Sequence, residues 1–76
     1  MKLSDCTLNR QAIIKSVNLD NKDYLLRLYN LGLYRGVKVK LEYLLKNKKA
    51  CVISFSGKAV ILSSEITDFI EVLCDG

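Results

Sequence analysis

The chain has 76 residues, half of them hydrophobic and 26% charged, which favours one folded domain over residues 1–76 and not a disordered segment. A domain of this size buries only about 60% of the surface of its unfolded chain, which leaves little room for a large cofactor cavity. The absence of His excludes Ser-His-Asp and Cys-His nucleophiles and histidine metal ligands. We therefore expect no enzyme activity and no cofactor.

Localisation is predicted from apolar runs and cysteines. The longest apolar runs, such as 59–62, are far shorter than the ~20 residues that cross a bilayer. Lys2 and polar neighbours stand where a signal peptide would carry its apolar segment. The three cysteines, Cys6, Cys51 and Cys74, have no close pair in sequence, which does not fit a disulfide framework. These features predict a cytoplasmic protein.

The cysteines also bear on metal binding. Three thiols without imidazole and without a CxxC spacing do not match the common zinc sets, so no metal site is expected. Cys51 shares its alternation with Ile53 and Phe55, and a buried small apolar side chain explains it better than a ligand does.

The first half of the chain predicts a strand followed by a helix. Gln11–Val17 is short and rich in β-branched residues, as strands are. Asp20 and Asp23 provide the N-cap and early acidic residue of a helix at Asn21–Leu31, and Gly32 suits its C-cap. Three apolar residues fall at helical spacing: Leu25, Leu28 and Tyr29.

The second half predicts strands separated by tight turns. From Val37 to Leu45 apolar residues alternate with charged ones, and this alternation places Tyr43 on the buried face. Gly57 suits the turn of the next hairpin. The remaining predicted elements are the hairpin strands Cys51–Phe55 and Ala59–Leu62, a capped helical turn at Ser63–Glu65 and a closing strand at Phe69–Leu73.

The fold class that follows is mainly β. Strands this short bury their apolar faces best when the sheet curls into a small barrel, because closure removes most exposed edges. We predict an SH3-like barrel with one α-helix inserted after the first long strand and a short helical turn before the last strand.

One segment carries a resemblance to a known family. Residues 27–39, RLYNLGLYRGVKV, resemble the signature RLxxLGLxxGxxV of FeoA-like domains. Leu3 resembles the family's opening leucine and Gly57 its hairpin glycine, and the order of Leu62, Glu65, Ile70 and Val72 resembles the leucine, glutamate, isoleucine and valine of its closing segment. The chain departs from the family pattern at five positions: Cys6, Asn9, Arg35, Ser63 and Ile66. Among them, Asn9 stands where glycine is usual and tolerates a left-handed backbone better than most residues.

The resemblance implies a function and a partner. FeoA-like domains are small cytoplasmic SH3-like proteins associated with bacterial ferrous iron transport. By resemblance, this chain is expected to be a non-catalytic accessory protein that docks on the membrane transporter FeoB, which carries a cytoplasmic GTP-binding domain.

The turn after the predicted helix is the first candidate contact surface. Leu33, Tyr34 and Arg35 follow Gly32 directly, and an aromatic residue beside an arginine is typical of interface anchors. The glycine itself is explained by the fold alone, and the two interpretations are compatible.

A basic loop is the second candidate. Lys46, Lys48 and Lys49 surround Asn47 and would attract an acidic protein surface, phosphate or the anionic face of a membrane. A solvated hairpin loop explains them as well, since the usual basic cluster has about 5–8 residues.

Two other functions stay open. The basic segment from Arg35 to Lys58 would allow a small nucleic-acid-binding barrel on charge alone. Nucleic acid is nevertheless not the expected partner, because Tyr43 is predicted to be buried and no further aromatic residue follows it before Phe55, so a stacking platform for bases is not evident. The second open function is that of an SH3-like regulatory module of a metal-dependent repressor. Such a module would normally be joined to a DNA-binding segment. The start at Met1 argues against that module.

Overall fold

A computed structural model describes residues 1–45, 47 and 49–74. In this part of the chain the elements are an N-terminal 3-10 turn at Leu3–Asp5, β1 (Gln11–Val17), α1 (Lys22–Leu31), β2 (Lys38–Leu45), β3 (Ala50–Phe55), β4 (Lys58–Ser63), α2 (Ser64–Thr67) and β5 (Ile70–Cys74). No helix of these residues is long and apolar enough to span a bilayer.

The five strands form one antiparallel sheet in the order β4-β3-β2-β1-β5. β1 lies between β2 and β5, so that Ala12 is paired with Val39 on one side and with Cys74 on the other. α2 joins the edge strands β4 and β5 and contacts β3, β4 and the 3-10 turn. The predicted mainly β, SH3-like barrel with one inserted helix is confirmed.

The core lies inside the curled sheet. Buried side chains come from all five strands, from the 3-10 turn, from Leu28 of α1 and from Leu33 in the segment that follows it. The largest are Leu3, Ile14, Leu33, Leu41, Ile53 and Ile70, each no more than 1% exposed. As predicted, Cys51 is buried, with an exposed fraction of 0%.

A β-bulge in β2 overturns the prediction for Tyr43. Leu41 is paired with Ile53, and the next residue along β3, Val52, is paired with Tyr43. Glu42, between Leu41 and Tyr43, has no partner on β3 and is the extra residue of the bulge. A bulge reverses which side chains face inward beyond it. Leu44 therefore packs against the core, and Tyr43 is 63% exposed.

The two ends of α1 are built differently from each other. Asn21, and not Asp20, is the N-cap: its Oδ1 accepts from the backbone N–H of Asp23 at 2.9 Å and of Tyr24 at 3.3 Å. At the other end Gly32 is the predicted C-cap, with φ +98°. A left-handed φ strains residues that carry a Cβ, so the glycine fixes where the helix stops.

The β3–β4 hairpin also follows its sequence. Ser56 (φ +51°) and Gly57 (φ +78°) form the two-residue turn between the paired residues Phe55 and Lys58. Two successive positive φ values define the type I′ turn, whose twist matches that of the flanking strands. Asn9 is left-handed as well, with φ +63°, as its place in the family pattern predicts.

The predicted cap of the second helix differs in detail. α2 begins after Ser63, but the Ser63 side chain makes no capping hydrogen bond. Instead the backbone N–H of Ser64 donates to Lys49 O at 2.8 Å. The start of α2 is therefore held by the loop that leads into β3.

We expect Gly32→Val to lower the free energy of unfolding by more than ~1 kcal/mol, because a β-branched residue is forced into the left-handed region. A Cβ at this position would also lie 3.4 Å from the Phe55 ring. Urea denaturation measures the change. Asn30→Val, on the exposed face of α1, is the control and should be near neutral. An unchanged midpoint and slope for Gly32→Val would contradict this role of Gly32.

Candidate functional site

An apolar groove runs between α1 and the segment that follows it. It has a volume of about 410 Å³ and includes side chains from three successive parts of the chain. Its lining comprises Val17, Lys22, Leu25, Leu26, Leu28, Tyr29, Leu33, Tyr34 and Arg35. The two cationic residues stand at its rim in a lining that is otherwise apolar or aromatic, which is the composition of a site for an apolar side chain of a partner.

Two tyrosines form the exposed wall of this groove. The ring centroids of Tyr29 and Tyr34 are 5.0 Å apart, with 36° between the ring planes. Tyr29 is 61% exposed and Tyr34 46% exposed. Because each ring packs on the other, both present a large amphipathic surface that loses little conformational freedom on binding.

The backbone around Tyr34 and Arg35 is held on both sides. Gly36 N–H donates to Ile14 O at 2.8 Å, and Ile14 N–H donates to Val37 O at 2.9 Å. Before the turn, Leu33 N–H donates to Leu28 O at 2.8 Å. The loop is therefore fixed to α1 at one end and to β1 at the other before any partner arrives.

The three residues predicted from the turn divide between two roles. Leu33 is 1% exposed and belongs to the core, where it forms the floor of the groove. Tyr34 and Arg35 are exposed beside it. The structure thus brings all three together, but only the last two offer accessible side chains.

Leu26 and Tyr29 line the groove and were not predicted as site residues. Tyr29 was assigned to the single apolar face of the helix, yet only Leu28 of α1 is fully buried. Leu26 is 60% exposed. The signal was present, because Leu26 and Tyr29 lie three positions apart and add a second apolar stripe to that of Leu25 and Leu28.

A basic cavity of about 790 Å³ lies on the neighbouring surface. Lys38 and Lys40 of β2 and Lys58 of the hairpin line it. The Lys58 ammonium donates to Leu31 O at 3.2 Å, at the C-terminal end of α1, where a cation is favoured by the helix dipole. The linings of the groove and the cavity are adjacent in sequence, because Arg35 lines the groove and Gly36 lines the cavity.

The predicted basic loop is described only in part. Lys46 and Lys48 lie outside the described residues. Lys49 is exposed, and its carbonyl accepts from Ser64 as described above. The lysines that the described structure gathers around one cavity are Lys38 and Lys40 of β2 and Lys58 at the start of β4.

Cys51 occupies a different environment from the groove and the basic cavity. Its Sγ lies 3.9 Å from Thr67 Oγ1, and both residues are 0% exposed. Burial raises the pKa of the Cys51 thiol, so the thiol is protonated at neutral pH and unreactive. Within the described ranges, no three side chains of the types His, Cys, Asp and Glu are grouped to hold a metal ion.

Comparison with solved structures shows the same fold in other proteins. The chain is similar to the solution structure of the FeoA protein from Chlorobium tepidum, with 26% identity and a TM-score of 0.88, over 97% of this chain and 70% of that one. It is similar to iron(II) transport protein A from Clostridium thermocellum at 22% identity and a TM-score of 0.86, over 97% of this chain. It spans only 45% of that protein's length.

A third similarity is to part of a longer protein. The manganese regulator SloR matches with 20% identity and a TM-score of 0.82, over 99% of this chain and 34% of that protein. No curated protein matches the chain.

A family model extends the likeness from fold to sequence. The FeoA domain model matches residues 1–73, which include the cap at Gly32, the hairpin turn at Gly57 and the segment that lines the groove. Because this match covers nearly the whole sequence, the chain belongs to the FeoA domain family.

Proposed function

We propose that this domain is a non-catalytic accessory protein of ferrous iron transport that acts in the cytoplasm by docking on a FeoB-like membrane transporter with a GTP-binding domain. Membership of the FeoA domain family supports the link to ferrous iron transport. The docking surface is the apolar groove of α1, with the basic cavity beside it.

The groove is the observation that carries this proposal. Exposed large apolar and aromatic side chains stand around a pocket whose floor, Leu33, is already packed into the core. An anchor side chain of the partner would displace water from the pocket without disturbing the fold. Arg35 at the rim adds a guanidinium that pairs with a carboxylate of the partner.

The basic cavity contributes orientation more than affinity. Lys38 and Lys40 are exposed on β2, and exposed charges speed the encounter with an acidic surface while adding little to the final complex. The cytoplasmic surface beside a membrane carries anionic lipids, which would also attract these lysines.

We expect the double variant Tyr34→Ala/Arg35→Ala to weaken binding of the transporter's cytoplasmic fragment by about 30-fold, or ~2 kcal/mol, with little change in unfolding free energy. Titration calorimetry or surface plasmon resonance measures the affinity. The matched control is Arg10→Ala/Tyr43→Ala, which removes the same side chains from exposed positions outside the groove. Normal binding by the first variant and lost binding by the control would place the docking surface elsewhere.

We expect Lys38→Gln/Lys40→Gln to slow association with the same fragment at low salt, with little change in the dissociation rate. The difference should fade as salt rises, because exposed charges are screened beyond roughly 10 Å at 0.1 M and about 3 Å at 1 M. Stopped-flow association across a salt series measures this. Lys2→Gln/Lys15→Gln, which removes equal charge outside the cavity, is the control. Equal slowing by both variants would show that net charge and not the cavity steers the encounter.

A regulatory module is the second candidate function. The likeness to about one third of the manganese regulator SloR supports it, since small barrels of this shape occur there as part of a longer chain. A regulatory module would bind a DNA-binding segment in place of a transporter. Retention of the transporter fragment by the tagged domain, with loss in the Tyr34→Ala/Arg35→Ala variant, distinguishes docking from this alternative.

A further inference from the structure

Three sulfur atoms meet where the two ends of the chain come together. Met1 Sδ lies 3.3 Å from Cys74 Sγ and 3.9 Å from Cys6 Sγ. The thioether is therefore close to both thiols. None of these three residues lines the apolar groove or the basic cavity, although Cys74 shares a smaller cavity with Lys38.

The fold holds this cluster in place. β5 pairs with β1, and Cys74 is opposite Ala12. The N-terminal segment then follows the free edge of β5: Val72 N–H donates to Met1 O at 2.8 Å, and the Met1 ammonium lies 2.8 Å from Glu71 Oε2. Since backbone and ammonium are both fixed, the Met1 side chain is directed toward the cysteines and is not a loose terminus.

Access and burial differ between the thiols. Cys6 is buried, with 7% of its surface exposed, whereas Cys74 is half-buried. An ion would therefore meet Cys74 from the solvent side, with Cys6 behind it. Met1 is 60% exposed, so the sulfur cluster lies at the surface, with Cys6 at its buried end.

We propose that Met1, Cys6 and Cys74 form a three-coordinate site for Cu(I). Two thiolates and a thioether are soft ligands, and soft sulfur sets select Cu(I) over hard divalent cations. Sulfur ligands at about 2.3 Å from a metal would lie about 4 Å from one another in a trigonal plane. The observed separations from Met1 Sδ to the two thiols, 3.3 and 3.9 Å, approach this spacing.

The protons balance in a simple way. When Cu(I) binds, each thiol exchanges its proton for a bond to copper and the two protons pass to solvent. Copper stays Cu(I) throughout, and no electron is transferred.

The test is a titration of the metal-free full chain with Cu(I), under anaerobic reducing conditions, against a chromophoric Cu(I) chelator. We expect one Cu(I) per chain. Cys74→Ser should weaken Cu(I) binding by more than about 100-fold, because loss of a direct ligand exceeds the cost of losing an outer-shell partner. Cys51→Ser is the matched control, since it removes a thiol whose neighbour is Thr67 and not sulfur, and its affinity should match that of the wild type.

The thioether has its own test because Met1 is the sole methionine. Selenomethionine labelling, with retention of Met1 checked by mass, places one selenium in the chain, and copper X-ray absorption should then show one Cu–Se contact beside two Cu–S contacts. The proposal is overturned by the absence of Cu(I) binding against the chelator, unchanged binding in Cys74→Ser, loss in Cys51→Ser, copper shared between two chains, or a spectrum without selenium. Circular dichroism confirms that each variant is folded.

Discussion

The pairing of β1 with strands on both of its sides is the constraint on which the rest of the molecule depends. On one side β1 pairs with β2, and the same ladder continues through Ile14 to Gly36 and Val37. On the other side it pairs with β5. The first contact fixes the loop that follows α1, and the second brings the C-terminal strand beside the N-terminal segment. A single strand therefore positions both the apolar groove and the sulfur cluster.

The groove shows how a small domain can present a binding surface without a large core. Only Leu28 of α1 is fully buried, so the helix leaves much of its apolar surface in contact with water. This exposure lowers stability, and a partner that covers the groove would recover the hydrophobic free energy. Hydrogen bonds on both sides of Tyr34 keep the surface ordered meanwhile, which reduces the entropy lost on docking.

Charge and apolar contact are arranged side by side. Arg35 lines the groove, and the next residue, Gly36, lines the basic cavity. A partner steered by Lys38 and Lys40 would thus arrive next to the aromatic wall. The sulfur cluster lies near Glu71 and the N-terminus instead, and none of its three residues lines the groove or the basic cavity.

Local features of the sequence determined the elements of the fold. The C-cap at Gly32, the hairpin turn at Gly57 and the left-handed Asn9 each depend on the φ that one residue adopts, and such preferences act within a few residues. The same is true of the strands, whose alternation follows from the two-residue period of the backbone. The position of Tyr34 and Arg35 in the turn follows for the same reason, because they come directly after the helix cap; their role in docking stays a prediction.

Tertiary structure decided which faces are buried and which distant residues meet. The bulge at Glu42 reverses the exposure of Tyr43, and it results from how β2 pairs with β3, which no local pattern in β2 records. Tyr29 and Leu26 stay exposed because the end of a small barrel can cover only one stripe of α1. Met1 and Cys74 are 73 positions apart and in contact, because strand pairing, and not spacing along the chain, sets the distance between the two ends.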